Sequence, residues 1–313
     1  MIDSVFRPGE KIFADMDRGS GGMRRPFRRI LVVVNAPVGD VLMSTPAVRL
    51  LRKRYPEARI TLFVPAVCAG LLQEKNFVDR VIPDARPEKK LPRLLWRIRQ
   101  ALSFRFARYD ACFFLQEDPG EARYIKRFSG IPVRVCASHN PTGISNRAAR
   151  HCTQVIPLDP ARRRHLVDYY REIVGGEPLP ADEEGLWIAL EPDDAPETGR
   201  GRSGGSGRSL ALCCRGSSRN RLNWPPLYWA ELARRLAADG HSLRSFPPPP
   251  DVPYLEEICR LSGVEIDIRI TTLAECAAGM RRSDLLVSVD TGQVHLAVAL
   301  GVPVLSLAGS TTD

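Results

Sequence analysis

Short, nearly continuous apolar runs alternate along this chain with longer stretches of helical spacing. Ile30 to Val34 reads as a strand buried on both faces, Asn35 to Gly39 as a tight loop, and Asp40 to Arg54 as a helix stopped by Tyr55-Pro56. The alternation continues with a strand at Arg59 to Val64, a helix from Ala66 to Gln73 and a short strand at Val78 to Ile82. A basic amphipathic helix covers Leu91 to Tyr109. After it come a strand at Ala111 to Leu115, a helix at Pro119 to Phe128, a strand at Val133 to Cys136 and a helix at Leu166 to Val174. Strands alternating with helices predict a parallel, doubly wound α/β domain.

Residues 192 to 208 (EPDDAPETGRGRSGGSG) break the pattern with almost no apolar side chains. A second series then runs through strands at Ser209 to Cys213 and Leu243 to Phe246, with a helix opened by Trp224-Pro225-Pro226 between them. Helices at Tyr254 to Leu261 and Leu273 to Met280 follow. The strand Leu285 to Val289, the helix Gln293 to Leu300 and the strand Val304 to Leu307 close the series. The expected organisation is a flexible basic leader (1–29), a Rossmann-like domain (30–180), a linker (181–208) and a second Rossmann-like domain (209–313). Two such halves joined by a linker imply a cleft between them.

The chain has 313 residues and a net charge of +9, concentrated in arginine clusters, which points to an anionic partner: a nucleic acid, an anionic membrane face or a phosphorylated substrate. The basic residues lack interleaved aromatics on any predicted sheet face, which argues against nucleic acid. The Leu91 to Tyr109 helix either covers a sheet or faces a membrane surface. Eight cysteines without metal or disulfide spacing read as buried free thiols of a reducing compartment, and no signal peptide or spanning segment is legible. A cytoplasmic protein is expected.

Three stretches carry candidate chemistry. Val38-Gly39-Asp40 follows the first strand, where a carboxylate at a helix N-terminus suits a general base or, more plainly, a cap. Gly216 to Arg221 (GSSRNR) follows the first strand of the second half, where Ser217, Ser218, Arg219 and Arg221 form either a diphosphate cradle or an exposed turn. Asp290-Thr291-Gly292 and His295 sit where strand turns into helix, a place that favours anions in open α/β sheets.

In order and at this separation, these motifs resemble the ADP-heptose:lipopolysaccharide heptosyltransferases, glycosyltransferase family 9. The resemblance rests on ILVVVNAPVGDVLMSTPAVRLLRKRYPEARITLFV, FVDRVIP, YDACFFLQ, GSSRNRLNWPPLYWAELARRLAADGH and SDLLVSVDTGQVHLAVALGVPVLSLAGSTTD. It implies a GT-B fold and an inverting, metal-independent transfer of heptose from ADP-heptose to the lipopolysaccharide inner core, with no cofactor. It makes Asp40 the base, Ser217, Ser218, Thr291 and Gly292 phosphate ligands, and Asp290 the residue that orients the donor sugar. His295 would support the loop or the phosphates. Activity of this kind is expected at the cytoplasmic face of the inner membrane, peripherally. The chain departs from the pattern at Leu222-Asn223, where a lysine is usual, at Cys213-Cys214-Arg215, and at Pro247 to Pro250. It also ends at Asp313, before the closing helices expected of the family. The alternative is a catalytically impaired member that binds only sugar nucleotide or glycolipid.

Overall fold

The apolar run after residue 29 becomes a covered strand: in β1 (Arg29–Val33), Ile30 to Val33 are all buried. A computed structural model describes residues 13, 27–72, 77–116, 118–175, 180, 185–189, 207–216 and 223–307. The chain divides into two compact units, Met1–Gly185 and Leu186–Asp313.

In the first unit β1 is joined by β2 (Arg59–Pro65), β3 (Arg80–Asp84), β4 (Ala111–Phe114), β5 (Val133–Ala137) and β6 (Gln154–Ile156). All pairs are parallel, in the order β3-β2-β1-β4-β5-β6. The connections are α1 (Val38–Met43), α2 (Thr45–Arg54), α3 (Ala66–Ala69), α4 (Lys90–Ala107), α5 (Pro119–Tyr124) and α6 (Leu166–Val174). Parallel strands need both faces covered, and the apolar content of β1 and β4 meets that need. The chain leaves β1 toward β2 on one side and reaches β4 on the other, so the strand order reverses between β1 and β4.

The second unit repeats this logic with β7 (Ser209–Cys213), β8 (Ser242–Ser245), β9 (Asp267–Ile268), β10 (Leu285–Val289) and β11 (Val304–Leu307). They are parallel in the order β11-β10-β7-β8-β9, and the order reverses between β7 and β10. Its helices are α7 (Pro226–Ala238), α8 (Val252–Ser262), α9 (Leu273–Met280) and α10 (Gly292–Ala299). Trp229, Ala230 and Ala233 of α7 pack with Leu210, Leu212, Leu255 and Ile258 in its core. Proline opens α7 and α8, where the missing N–H would have had no partner.

Several expectations are corrected. The single helix from Asp40 to Arg54 is two, and it begins two residues earlier, at Val38. Pro46 lacks an N–H and its ring crowds the Leu42 carbonyl, which takes the Thr45 hydroxyl instead, at 2.7 Å. The helix expected through Gln73 ends at Ala69 before Gly70, and Gln73 lies outside the described residues. The third strand starts at Arg80 rather than Val78 because Asp79 turns its carboxylate onto the Ile60 N–H, at 2.7 Å. Pro83 is tolerated in this strand because β3 lies at the sheet edge. The expected helix through Phe128 gives way after Tyr124 to a wider π-turn, Ile125–Ser129. Strands β6 and β9 had no counterpart in the sequence reading. Phe13, within the expected leader, is buried near Phe113 with the Arg54 guanidinium 4.5 Å above its ring. Trp187, within the expected linker, is also buried. Among the described residues, no helix is long and apolar enough to cross a membrane.

Candidate functional site

Ligands of open parallel sheets bind beyond the carboxyl ends of the strands, at the point where strand order reverses. Each unit has one such point, and the candidate residues fall on both.

In the first unit the loop leaving β1 presents Asn35, and the loop leaving β4 presents Gln116 and Asp118. The Asn35 amide donates to Asp118 Oδ2 at 2.8 Å, which ties the two strand ends together across the reversal. Gly39 is buried, while Val38 and Asp40 are half-buried. Pro37 occupies the cap position of α1 and Asp40 lies in the first turn, so Asp40 is not the cap. Its carboxylate sits where the unpaired N–H groups of a helix start favour negative charge. Tyr170 of α6 donates to Gln116 Oε1 at 3.0 Å, and its pKa is raised, first by burial and then by the negative charge of Asp40.

Behind this tip lies a buried ionic cluster that the sequence reading missed. Asp118 accepts the Glu121 backbone N–H at 2.9 Å and faces Arg86 Nη1 at 3.3 Å. Burial would raise the Asp118 pKa, but that N–H, the Asn35 amide and the guanidinium groups of Arg86 and Arg97 together hold it below the usual carboxylate range. Arg86 also pairs with Asp84. Glu121, fully buried, has Arg86 at 3.6 Å and Arg97 at 3.7 Å as cationic neighbours, and among the described residues neither of its oxygens has a hydrogen-bond partner. Burial pushes its pKa up to about 7; Asp118 and Asp84 add to the rise, and the two arginines oppose it.

In the second unit Thr291, not Asp290, caps α10: its hydroxyl accepts the Gln293 N–H at 3.2 Å. Asp290 is exposed and carries no capping duty, while Gly292 opens the helix and His295 lies half-buried in its first turn. The end of β7 closes on the same place. Cys213 Sγ lies 3.6 Å from Thr291 Oγ1, and burial raises the thiol's pKa, which keeps it protonated. A side chain at Gly216 would bring a Cβ within 3.3 Å of the Asp290 carbonyl oxygen, so glycine permits the close approach. Gln293 reaches the end of β8 by donating to the Phe246 carbonyl at 3.1 Å. Ser217, Ser218, Arg219 and Arg221 lie outside the described residues. The flanks of their loop meet directly, since the Gly216 N–H donates to Asn223 Oδ1 at 2.8 Å.

The sequence model of glycosyltransferase family 9 (heptosyltransferase) matches residues 133–313, more than half of the chain. The chain belongs to glycosyltransferase family 9. It is accordingly a glycosyltransferase, and its relatives extend the likeness beyond the matched segment. Lipopolysaccharide heptosyltransferase 2 of Escherichia coli K12 is 27% identical over 301 residues, 91% of this chain and 83% of that protein. Lipopolysaccharide heptosyltransferase 1 of Pseudomonas aeruginosa is 28% identical over 300 residues, 90% of this chain and 79% of that protein. Among solved structures, a family 9 glycosyl transferase from Veillonella parvula aligns with a TM-score of 0.75 at 20% identity, covering 90% of this chain and 80% of its own. The E. coli ADP-heptose lps heptosyltransferase II aligns at 0.73 with 24% identity, covering 89% and 84%. These likenesses show the fold: two parallel-sheet α/β units of the GT-B class.

Within the family assignment, the structure brings Val38, Gly39 and Asp40 to one reversal point. Asp290, Thr291, Gly292 and His295 gather at the other. Asn35, Asp118, Arg86 and Glu121 join the first, and Gly216 and Gln293 the second. A polar residue directly after a buried strand was a readable signal for Asn35. No local signal marked Glu121, which reads as an ordinary first-turn acid of a helix.

Proposed function

We propose that this protein moves a heptose from ADP-heptose to the lipopolysaccharide inner core, inverting the anomeric centre without a metal. The reading is carried by the position of Asp40: a half-buried carboxylate in the first turn after the first strand, at a reversal point, in a chain of this family. Asp40 takes the proton of the acceptor hydroxyl as its oxygen attacks the anomeric carbon; the bond from that carbon to the diphosphate breaks, and ADP leaves with the electron pair. The leaving charge is met by fixed donors: the backbone N–H groups at Thr291 and Gly292, the hydroxyls of Ser217 and Ser218, and Arg219 and Arg221, the last in place of the lysine. Such preorganised dipoles act without reorganisation as charge develops. Asp290 orients the donor sugar and His295 supports its loop. The work is done at the inner face of the cytoplasmic membrane, where such an acceptor is made.

The test is ADP release from ADP-heptose with a heptose-free core acceptor. Asp40→Asn is expected to lower kcat by about 10²–10⁴-fold while donor affinity holds, as loss of a general base does. Wild-type protein and Asp40→Asn both inert, with ADP-heptose still bound, would instead identify an impaired family member that only binds its donor.

A further inference from the structure

Helix α4 is apolar on two opposite faces, and the fold uses one. On the inner face Ala101 and Phe104 are buried. Trp96 stacks on Phe63 with ring centroids 6.0 Å apart, and Phe104 meets Phe63 edge-on at 5.4 Å. Arg97 also turns inward, toward Asp118 and Glu121. On the outer face Leu91, Leu95, Leu102 and Phe106 follow one another at helical spacing and are 69%, 61%, 39% and 82% exposed. Covering a sheet requires only one apolar stripe. The second stripe has no role in the packing just described.

Its surroundings are predominantly basic, with Glu88 exposed just before the helix. From Lys89 to Tyr109 the chain carries seven arginines and lysines and no acidic residue, and Lys90, Arg99, Arg105 and Arg108 are exposed around the stripe. The π-turn that packs against α4 adds exposed Lys126 and Arg127. Beyond the helix end, Arg105, Arg108, Ser129 and Gly130 line a hollow of about 590 Å³. Its one carboxylate, Asp110, is occupied by the Arg28 and Arg29 N–H groups at 2.8 Å.

We propose that the outer face of α4 docks this protein on an anionic lipid bilayer. The helix lies in the plane of the interface, its leucines and Phe106 enter the acyl boundary, and the basic side chains reach the lipid phosphates. Charge complementarity selects this occupant. A second copy would set two basic faces against each other, and a nucleic acid would leave the leucine stripe in water. The inference stands on α4 and is read independently of transferase activity.

The experiment is vesicle flotation of the full chain with phosphatidylcholine vesicles and with vesicles of equal parts phosphatidylcholine and phosphatidylglycerol. Binding to the mixed vesicles alone, weakened by added salt, is expected. Leu95→Asp/Phe106→Asp and, separately, Lys90→Glu/Arg99→Glu should each weaken it by roughly tenfold or more, with thermal melts matching wild type. The proposal is overturned if wild type ignores the mixed vesicles or if both double variants bind like wild type. It is equally overturned if Leu95→Asp/Phe106→Asp converts a dimer to a monomer in sedimentation while vesicle binding is unchanged, which would make the face a contact between copies.

Discussion

Glu121 places a buried carboxyl in the first unit and makes that unit's stability depend on pH. Its side chain is fully buried, and its pKa is raised from an ordinary 4.5 to about 7. The unfolded chain ionises this group near its ordinary value, whereas the folded chain resists until near pH 7. Its contribution to stability is therefore fully present below about pH 4.5 and is lost as pH rises toward 7. At 1.36 kcal/mol per pKa unit, the loss is on the order of 3 kcal/mol. Glu121→Gln keeps the shape without the titration. Denaturant melts at pH 5 and pH 8 should show a smaller drop in stability for the variant than for wild type, and equal drops would mean that Glu121 ionises freely. The Asp290 to His295 group was legible in the sequence because it follows an apolar strand directly, and Asp40 because it follows glycine where the loop after the first strand passes into helical spacing. The Asn35–Asp118 hydrogen bond was not, since its partners are 83 residues apart and only the strand order brings them together.

At the scale of elements, local chemistry fixed some boundaries and the sheet fixed others. The start of α9 falls at Leu273, as the sequence spacing predicts, and Thr272 and Glu275 fix it with a reciprocal cap. Each side chain accepts the other's backbone N–H, at 3.3 and 2.8 Å. Both residues are exposed, so Thr272→Ala should cost about 1 kcal/mol in chemical denaturation and leave donor binding alone. The same helix passes close to the end of β8. A Cβ at Gly279 would sit 2.4 Å from the Phe246 ring, and Gly279→Val should destabilise by about 1–3 kcal/mol, measured by the same melts. Strands β6 and β9 escaped the sequence reading because they are edge strands of three and two residues, too short to show a period. The break between α1 and α2 was signalled by Pro46, but the apolar spacing runs straight through it. Periodicity alone therefore joined what proline separates.

For the molecule as a whole, the alternation of strands and helices was enough to give two parallel sheets, and the same reversal of strand order places candidate residues in both. The proposed division of labour predicts a division of kinetic effects. Thr291→Val, in the second unit, removes the hydroxyl that caps α10 and so loosens the helix start that presents the Thr291 and Gly292 N–H groups, and should weaken ADP binding by about tenfold in calorimetry. Asp40→Asn, in the first, should leave ADP affinity near wild type while turnover collapses. Equal effects of the two changes on ADP affinity would contradict the assignment of donor and acceptor chemistry to separate units.

The clasp between the Gly216 N–H and Asn223 Oδ1 lies outside the six residues it brackets. Asn223→Ala would untie that clasp and take this acceptor from the Gly216 N–H; the expected outcome is a several-fold loss of ADP affinity in calorimetry with the sheet melting at an unchanged temperature, and unchanged affinity would show that the tie has no part in holding the donor.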